Sequence, residues 1–113
     1  MAHMSNYLIT NAEIAAAGTF TSAAIDIEKA SACAIHLQAI VGAAPDVGFT
    51  YEVSSSRDGV FVPGEVTISA SRSVISVSDF APEPASFIKI IVTNNNGAAV
   101  VTPTVVLAIQ DLD

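Results

Sequence analysis

The feature that most constrains this chain is a hydrophobic period of two. Ile35, Leu37, Ala39 and Val41 alternate with Ala34, His36, Gln38 and Ile40, and Phe49, Tyr51 and Val53 with Thr50, Glu52 and Ser54. Ile88, Ile90 and Val92 interleave with Lys89, Ile91 and Thr93, and Val105, Leu107 and Ile109 with Val106 and Ala108. Side chains two apart point to one face of an extended strand, so each run offers an apolar face to a core. The Val, Ile, Thr and Phe that fill these runs favour strands. Gly42 to Pro45, Asp58-Gly59, Pro63-Gly64, Pro82-Glu83-Pro84 and Asn94 to Gly97 break them. The spacing predicts strands at roughly 19–27, 31–41, 47–55, 60–62, 65–70, 73–78, 86–93 and 99–110.

This pattern predicts an all-β chain: a single antiparallel β-sandwich, jelly-roll-like, of about eight strands with an N-terminal arm. Residues 1–4, Met1-Ala2-His3-Met4, read as a cloning scar, residues 5–18 as the arm and residues 19–113 as the sandwich domain. Within the arm, Asn11 to Ala17 predicts one or two helical turns from its alanines and its Asn cap. Pro103 cannot donate to a ladder, which places it at a sheet edge or a bulge. Asp58-Gly59 predicts a tight hairpin with Gly59 at positive φ, its turn capped by Ser54, Ser55 and Ser56.

Charge narrows the function classes. Only 13% of the 113 residues are charged, 51% are apolar, and the net charge is -7. The basic residues Lys29, Arg57, Arg72 and Lys89 are scattered, which speaks against nucleic acid and against an anionic membrane surface. No apolar run approaches the ~18 residues of a membrane helix. The N-terminus shows neither the basic region nor the continuous apolar stretch of a signal peptide. So little charge predicts a surface partly covered by copies of the chain, a homo-oligomer with a trimer as the first expectation. Ile40, Ile91 and Val106 fall opposite the core residues of their strands and are the candidate interface. Strands apolar on both faces are buried on both, either under the arm or against another chain, and the sparse charge favours another chain.

Chemistry finds little to work with. Cys33 is the sole cysteine, and His36 the sole histidine beyond the first four residues. They lie in opposite strand registers, so no Cys–His pair is expected. There is no G-x-S-x-G elbow, too few ligands for zinc and no calcium loop. Asp26 with Glu28, and Asp111 with Asp113, read as solvated acidic edges. The expectation is a non-enzyme with no catalytic residue, cofactor or metal. Ser55, Ser56, Arg57 and Asp58, with Asn94, Asn95 and Asn96, are the candidate binding loops.

The segment AIDIEKASACAIHLQAIVGAAPDVGFTYEVSSSRDGVFVP, followed by FIKIIVTNN and VVTPTVVLAIQ, resembles small β-sandwich structural proteins of tailed bacteriophages and prophages. The matching parts are Ser56 to Phe61, Lys89 to Asn94 and Thr104 to Ile109. The resemblance implies a capsid decoration or small tail- or fibre-associated protein, assembled in the host cytoplasm, carried in the virion and partnered by a capsid or tail protein. The Ser-x-Asp-Gly element also resembles discoidin-like carbohydrate-binding sandwiches. That alternative implies a carbohydrate-binding or adhesion module whose serine and asparagine loops meet sugar hydroxyls. The chain departs from both patterns in having one residue fewer between Gly59 and Phe61, and it has no Trp for a stacked sugar.

Overall fold

In a computed structural model that describes residues 3–111, every regular element is a strand. In chain order they are β1 (His3–Thr10), β2 (Thr19–Thr21), β3 (Ile25–Asp26), β4 (Ala30–Gly42), β5 (Val47–Ser54), β6 (Val62–Pro63), β7 (Ser69–Arg72), β8 (Ser76–Phe80), β9 (Phe87–Asn94) and β10 (Val101–Asp111). Two antiparallel sheets result, one ordered β1-β10-β4-β8 and the other β2-β9-β5-β6, with β3 also on β9 and β7 also on β5. They pack face to face as a jelly-roll-like sandwich.

The core follows from the alternation. Cys33, Ile35, Leu37, Val101, Val105, Leu107 and Ile109 turn inward from the four-stranded sheet. Val47, Phe49, Tyr51, Val53, Ile88, Ile90 and Val92 meet them from the other sheet. Each fully buried aliphatic side chain contributes about 1.5–3 kcal/mol. Along β9 the alternation of half-buried and buried residues is unbroken.

The expected arm is part of this fabric. β1 pairs with β10 from His3 opposite Asp111 to Thr10 opposite Val105, and Ile9 and Ile14 enter the core. The boundary expected at residue 18 therefore does not separate an arm from a domain. Backbone groups left loose near a sheet edge find partners there, and two isoleucines were too few to show a period. The expected helical turns at Asn11 to Ala17 are absent. Ile14 instead exchanges two backbone hydrogen bonds with Val101 (2.8 and 3.1 Å), and Ala17 is left-handed at φ 57°.

The expected strand at 19–27 is broken at Ser22. Its N–H donates to the Ile90 carbonyl (2.9 Å), while its hydroxyl accepts the Ile90 N–H (2.9 Å), standing in for a ladder carbonyl. Pro103 lies in a central strand, yet its missing N–H costs no ladder bond. Val101 turns its N–H and C=O toward Ile14, so Pro103, two residues on, turns the same way. It faces the interval between Thr10 and Ile14 where β1 has ended.

One end of the sandwich is tied by Asn94, which is 1% exposed. Its amide nitrogen stands 3.2 Å from the Ile14 carbonyl, 3.1 Å from that of Ala15 and 2.9 Å from that of Ala99. Its side-chain oxygen accepts the Asn96 N–H (2.9 Å). Asn94→Asp preserves shape but removes the donors and sets a carboxylate against three carbonyls. The expected loss is about 3 kcal/mol or more, read as a lower urea midpoint in chemical denaturation.

Candidate functional site

The two outer faces of the sandwich differ in kind. On the four-stranded sheet, register aligns Leu8, Val106, His36 and Val77 in one row across β1, β10, β4 and β8. The next row is Asn6, Ala108, Ala34 and Asp79. Met4, Leu8, Val41 and Val77 on this face, and Ile75 just before β8, are each more than half exposed. This is an apolar surface with a histidine in its middle. The outer face of the six-stranded sheet is polar. Thr93 pairs with Thr19, Thr50 pairs with Ile91, and Glu52 with Lys89. Two cations there cover aromatic rings: Lys89 Nζ lies 4.3 Å from the Phe61 centroid, and the Arg57 guanidinium 4.7 Å from that of Phe87.

The three candidate interface residues separate. Val106 lies on the apolar outer face. Ile91 belongs to the other sheet, between Thr21 and Thr50. Ile40 packs against the core, because the β4–β10 register shifts between Leu37 opposite Val105 and Ala39 opposite Thr104. The extra residue, Gln38, reverses the faces beyond it. Val41, in the inward register of the sequence pattern, is consequently 66% exposed.

The two candidate binding loops do not converge. Val47 opposite Asn94 and Ser54 opposite Phe87 are the terminal pairs of the β5–β9 ladder, so the loops sit about 24 Å apart. The asparagine side chains are committed to the fold. Asn96 donates to the carbonyls of Ala43 (2.9 Å) and Ala44 (3.2 Å) and accepts from the N–H groups of Ala98 and Ala99. Asn95 donates to Asp46 (3.2 Å). In the other loop, Arg57 donates to the Ala24 carbonyl (3.2 Å), while Ser55, Ser56 and Asp58 are exposed.

Nor is Asp58-Gly59 a tight hairpin. Val53 pairs with Val62, so residues 54–61 form a wide loop. Gly59 closes a turn by donating its N–H to the Ser56 carbonyl (3.3 Å). Its φ is not positive, unlike that of Gly42, because the closing position of such a turn needs no left-handed residue.

Cys33 and His36 lie on opposite faces of β4: the thiol is in the core, the imidazole half-buried on the outer side. Burial, helped by the charge of Asp111, pushes the Cys33 thiol up to about 11, far from a nucleophile's range. Among the described residues, no group of three or more His, Cys, Asp or Glu stands close enough to hold a metal ion.

Two features escape a reading of the sequence. The first is a polar knot around Tyr51, whose hydroxyl donates to Glu83 Oε1 (2.5 Å) and accepts the Val66 N–H (3.0 Å). Glu83 Oε2 accepts the Glu65 N–H (2.9 Å). Burial and then the Glu83 bond raise the Tyr51 pKa, and the Tyr51 bond lowers that of Glu83. The second is a cleft of about 730 Å³ at the open side of the sandwich, between β1 and β2–β3. Ile9, Phe20 and Ile25 line it, with Tyr7, Asp26 and Arg57. It was hidden because it needs β1 in place.

No protein family model and no curated protein matches the chain. Solved structures do resemble it. The PBSX exported protein XepA superposes with a TM-score of 0.67 at 15% identity, over 96% of this chain and 37% of that one. The infectious bursal disease virus VP2 subviral particle gives 0.56 at 10% identity, over 97% and 32%. A structure of the Gx strain of that virus gives 0.54 at 10%, over 97% and 32%. The likeness is one of fold. This chain spans about a third of the length of each of these proteins.

Two outcomes follow from the Tyr51 knot. A Cβ at Gly64 would overlap the Tyr51 ring, so Gly64→Ala should cost about 2 kcal/mol through overpacking. Gly59→Ala, crowding the rotatable Ser56 hydroxyl and, less tightly, that of Ser54, should cost less than about 1 kcal/mol; thermal melts of the two variants compare them. For pH, the carboxylate of Glu83 is favoured by folding. Its contribution is complete above the ordinary carboxylate value and is lost as pH falls through the lower folded value. Acid titration should therefore lower the melting temperature more steeply in the parent than in Glu83→Gln.

Proposed function

We propose that this chain is a non-enzymatic structural component of a phage particle, a capsid decoration or small tail- or fibre-associated protein. It works by self-association and by binding a particle surface. The observation that carries this reading is the apolar outer face of the four-stranded sheet, with Leu8, Val41 and Val77 open to solvent. A face of that composition is disfavoured in water and is characteristic of protein contact. The neighbours in fold support it: the PBSX exported protein XepA and the infectious bursal disease virus VP2 subviral particle. The partner is a capsid or tail protein and the location is the virion, with assembly in the host cytoplasm.

Binding of this kind needs shape and apolar area, not proton transfer. In co-sedimentation with phage particles from the encoding host, the parent and His36→Ala, which keeps the face apolar, should both pellet. Val41→Asp combined with Val77→Asp, at two exposed positions, should stay in the supernatant while melting like the parent. Pelleting of the double variant, or loss of binding in a well-folded His36→Ala, would overturn the reading.

A further inference from the structure

The asparagines that close one end of the sandwich include a reactive pair. Asn96 is followed by Gly97, and no other asparagine of the chain precedes a glycine. The fold makes no use of that glycine. Its φ is not positive, and nothing lies within 4 Å of the place a Cβ would take. Gly64, by contrast, must be small because the Tyr51 ring lies against it. Gly97 is exposed, so solvent reaches the peptide after Asn96 with no side chain in the way.

A second observation concerns the side chain before it. Asn96 Oδ1 accepts the N–H groups of both Ala98 (2.8 Å) and Ala99 (3.1 Å). Two backbone donors on one amide oxygen draw electrons from Cγ, and they already stand where that oxygen would gain negative charge under attack. Asn94, in the same tie, is built otherwise. Its Oδ1 accepts the Asn96 N–H, and the residue after it, Asn95, carries a side chain.

We infer that Asn96 is a site of self-modification, at which the backbone nitrogen of Gly97 displaces the side-chain nitrogen of Asn96. The Gly97 N–H gives its proton to a solvent base. Its nitrogen forms a bond to Asn96 Cγ while Oδ1 takes the negative charge. The charge returns, the Cγ–Nδ2 bond breaks, and Nδ2 leaves as ammonia with a proton from water. A succinimide ring remains, and water opens it at either carbonyl to give aspartate or isoaspartate. Nothing is oxidised or reduced. The product undoes what Asn96 does for the fold. Nδ2 is the donor to the carbonyls of Ala43 (2.9 Å) and Ala44 (3.2 Å), and a carboxylate in its place repels both. Ala44, left-handed at φ 48°, loses a bond that holds it there. The new charge adds to a net charge of -7. A fastened end of the sandwich becomes a loose one, in one direction only.

Incubation of the folded protein in warm, mildly alkaline buffer, followed by peptide mass mapping, tests this. Asn96 should lose ammonia and gain water, and isoaspartate should accumulate there while Asn94 and Asn95 stay intact. The modified protein should separate as a more acidic species on anion exchange and melt below the unmodified one. Gly97→Ala places its methyl in open space, so it should melt like the parent, yet lose most of the acidic species because the methyl hinders attack. A parallel incubation in urea reads the unfolded chain and needs no variant. An Asn96 that stays intact in the folded protein, whether or not it converts in urea, would overturn the inference, since its hydrogen bonds to Ala43, Ala44, Ala98 and Ala99 would then protect the amide. Equal conversion in Gly97→Ala, or earlier conversion at Asn94 or Asn95, would overturn it as well. Each measurement is made on the chain alone and leaves the particle-binding reading to its own test.

Discussion

Asn94 is where the two sheets become one structure. It ends β9 in the six-stranded sheet, yet its amide reaches the carbonyls of Ile14, bridged to β10 of the other sheet, and of Ala99, just before β10. Its neighbours extend the tie. The Asn96 carbonyl accepts the N–H of Ala17, and its side chain holds the carbonyls of Ala43 and Ala44. Ala17 and Ala44 are both left-handed, at φ 57° and 48°, which costs an alanine about 1–2 kcal/mol. Those conformations persist because the asparagines over-determine them. A triplet that reads in sequence as a polar loop is the fastening of one end of the sandwich.

What the sequence shows clearly is what burial imposes over many residues. Ile35 and Leu37, Phe49 to Val53, Ile88 to Val92 and Val105 to Ile109 each repeat the period of two, and each is a core strand. Features that depend on a single residue or a distant partner stay hidden. The bulge at Gln38 leaves no compositional trace, and it alone decides that Ile40 is inside and Val41 outside. β1 contributes little apolar burial of its own and is ordered by the backbone of β10, more than ninety positions away in sequence. Gly59 misleads because Asp-Gly closes wide turns as well as tight ones.

The site was legible by half. Val106 identifies the apolar outer face, but its companions Leu8 and Val77 come from segments expected to be an arm and a short strand. The asparagine loop looked like a ligand surface because polarity in a sequence does not distinguish a side chain offered to solvent from one consumed by carbonyls. A sandwich accepts many functions, and the uncovered outer face with Leu8, Val41 and Val77 is what favours the proposed one.

The pairing of β1 with β10 also has a mechanical side. His3 stands opposite Asp111, so the ends of the described chain are the first rungs of one antiparallel ladder. Tension applied between them peels that ladder open bond by bond, a far weaker geometry than shearing all of its bonds at once. During synthesis the same ladder cannot form until β10 has left the ribosome, which leaves β1 and the cleft beside it unsealed until then. A sandwich joined this way is held by its core, but yields readily to a pull between residues 3 and 111.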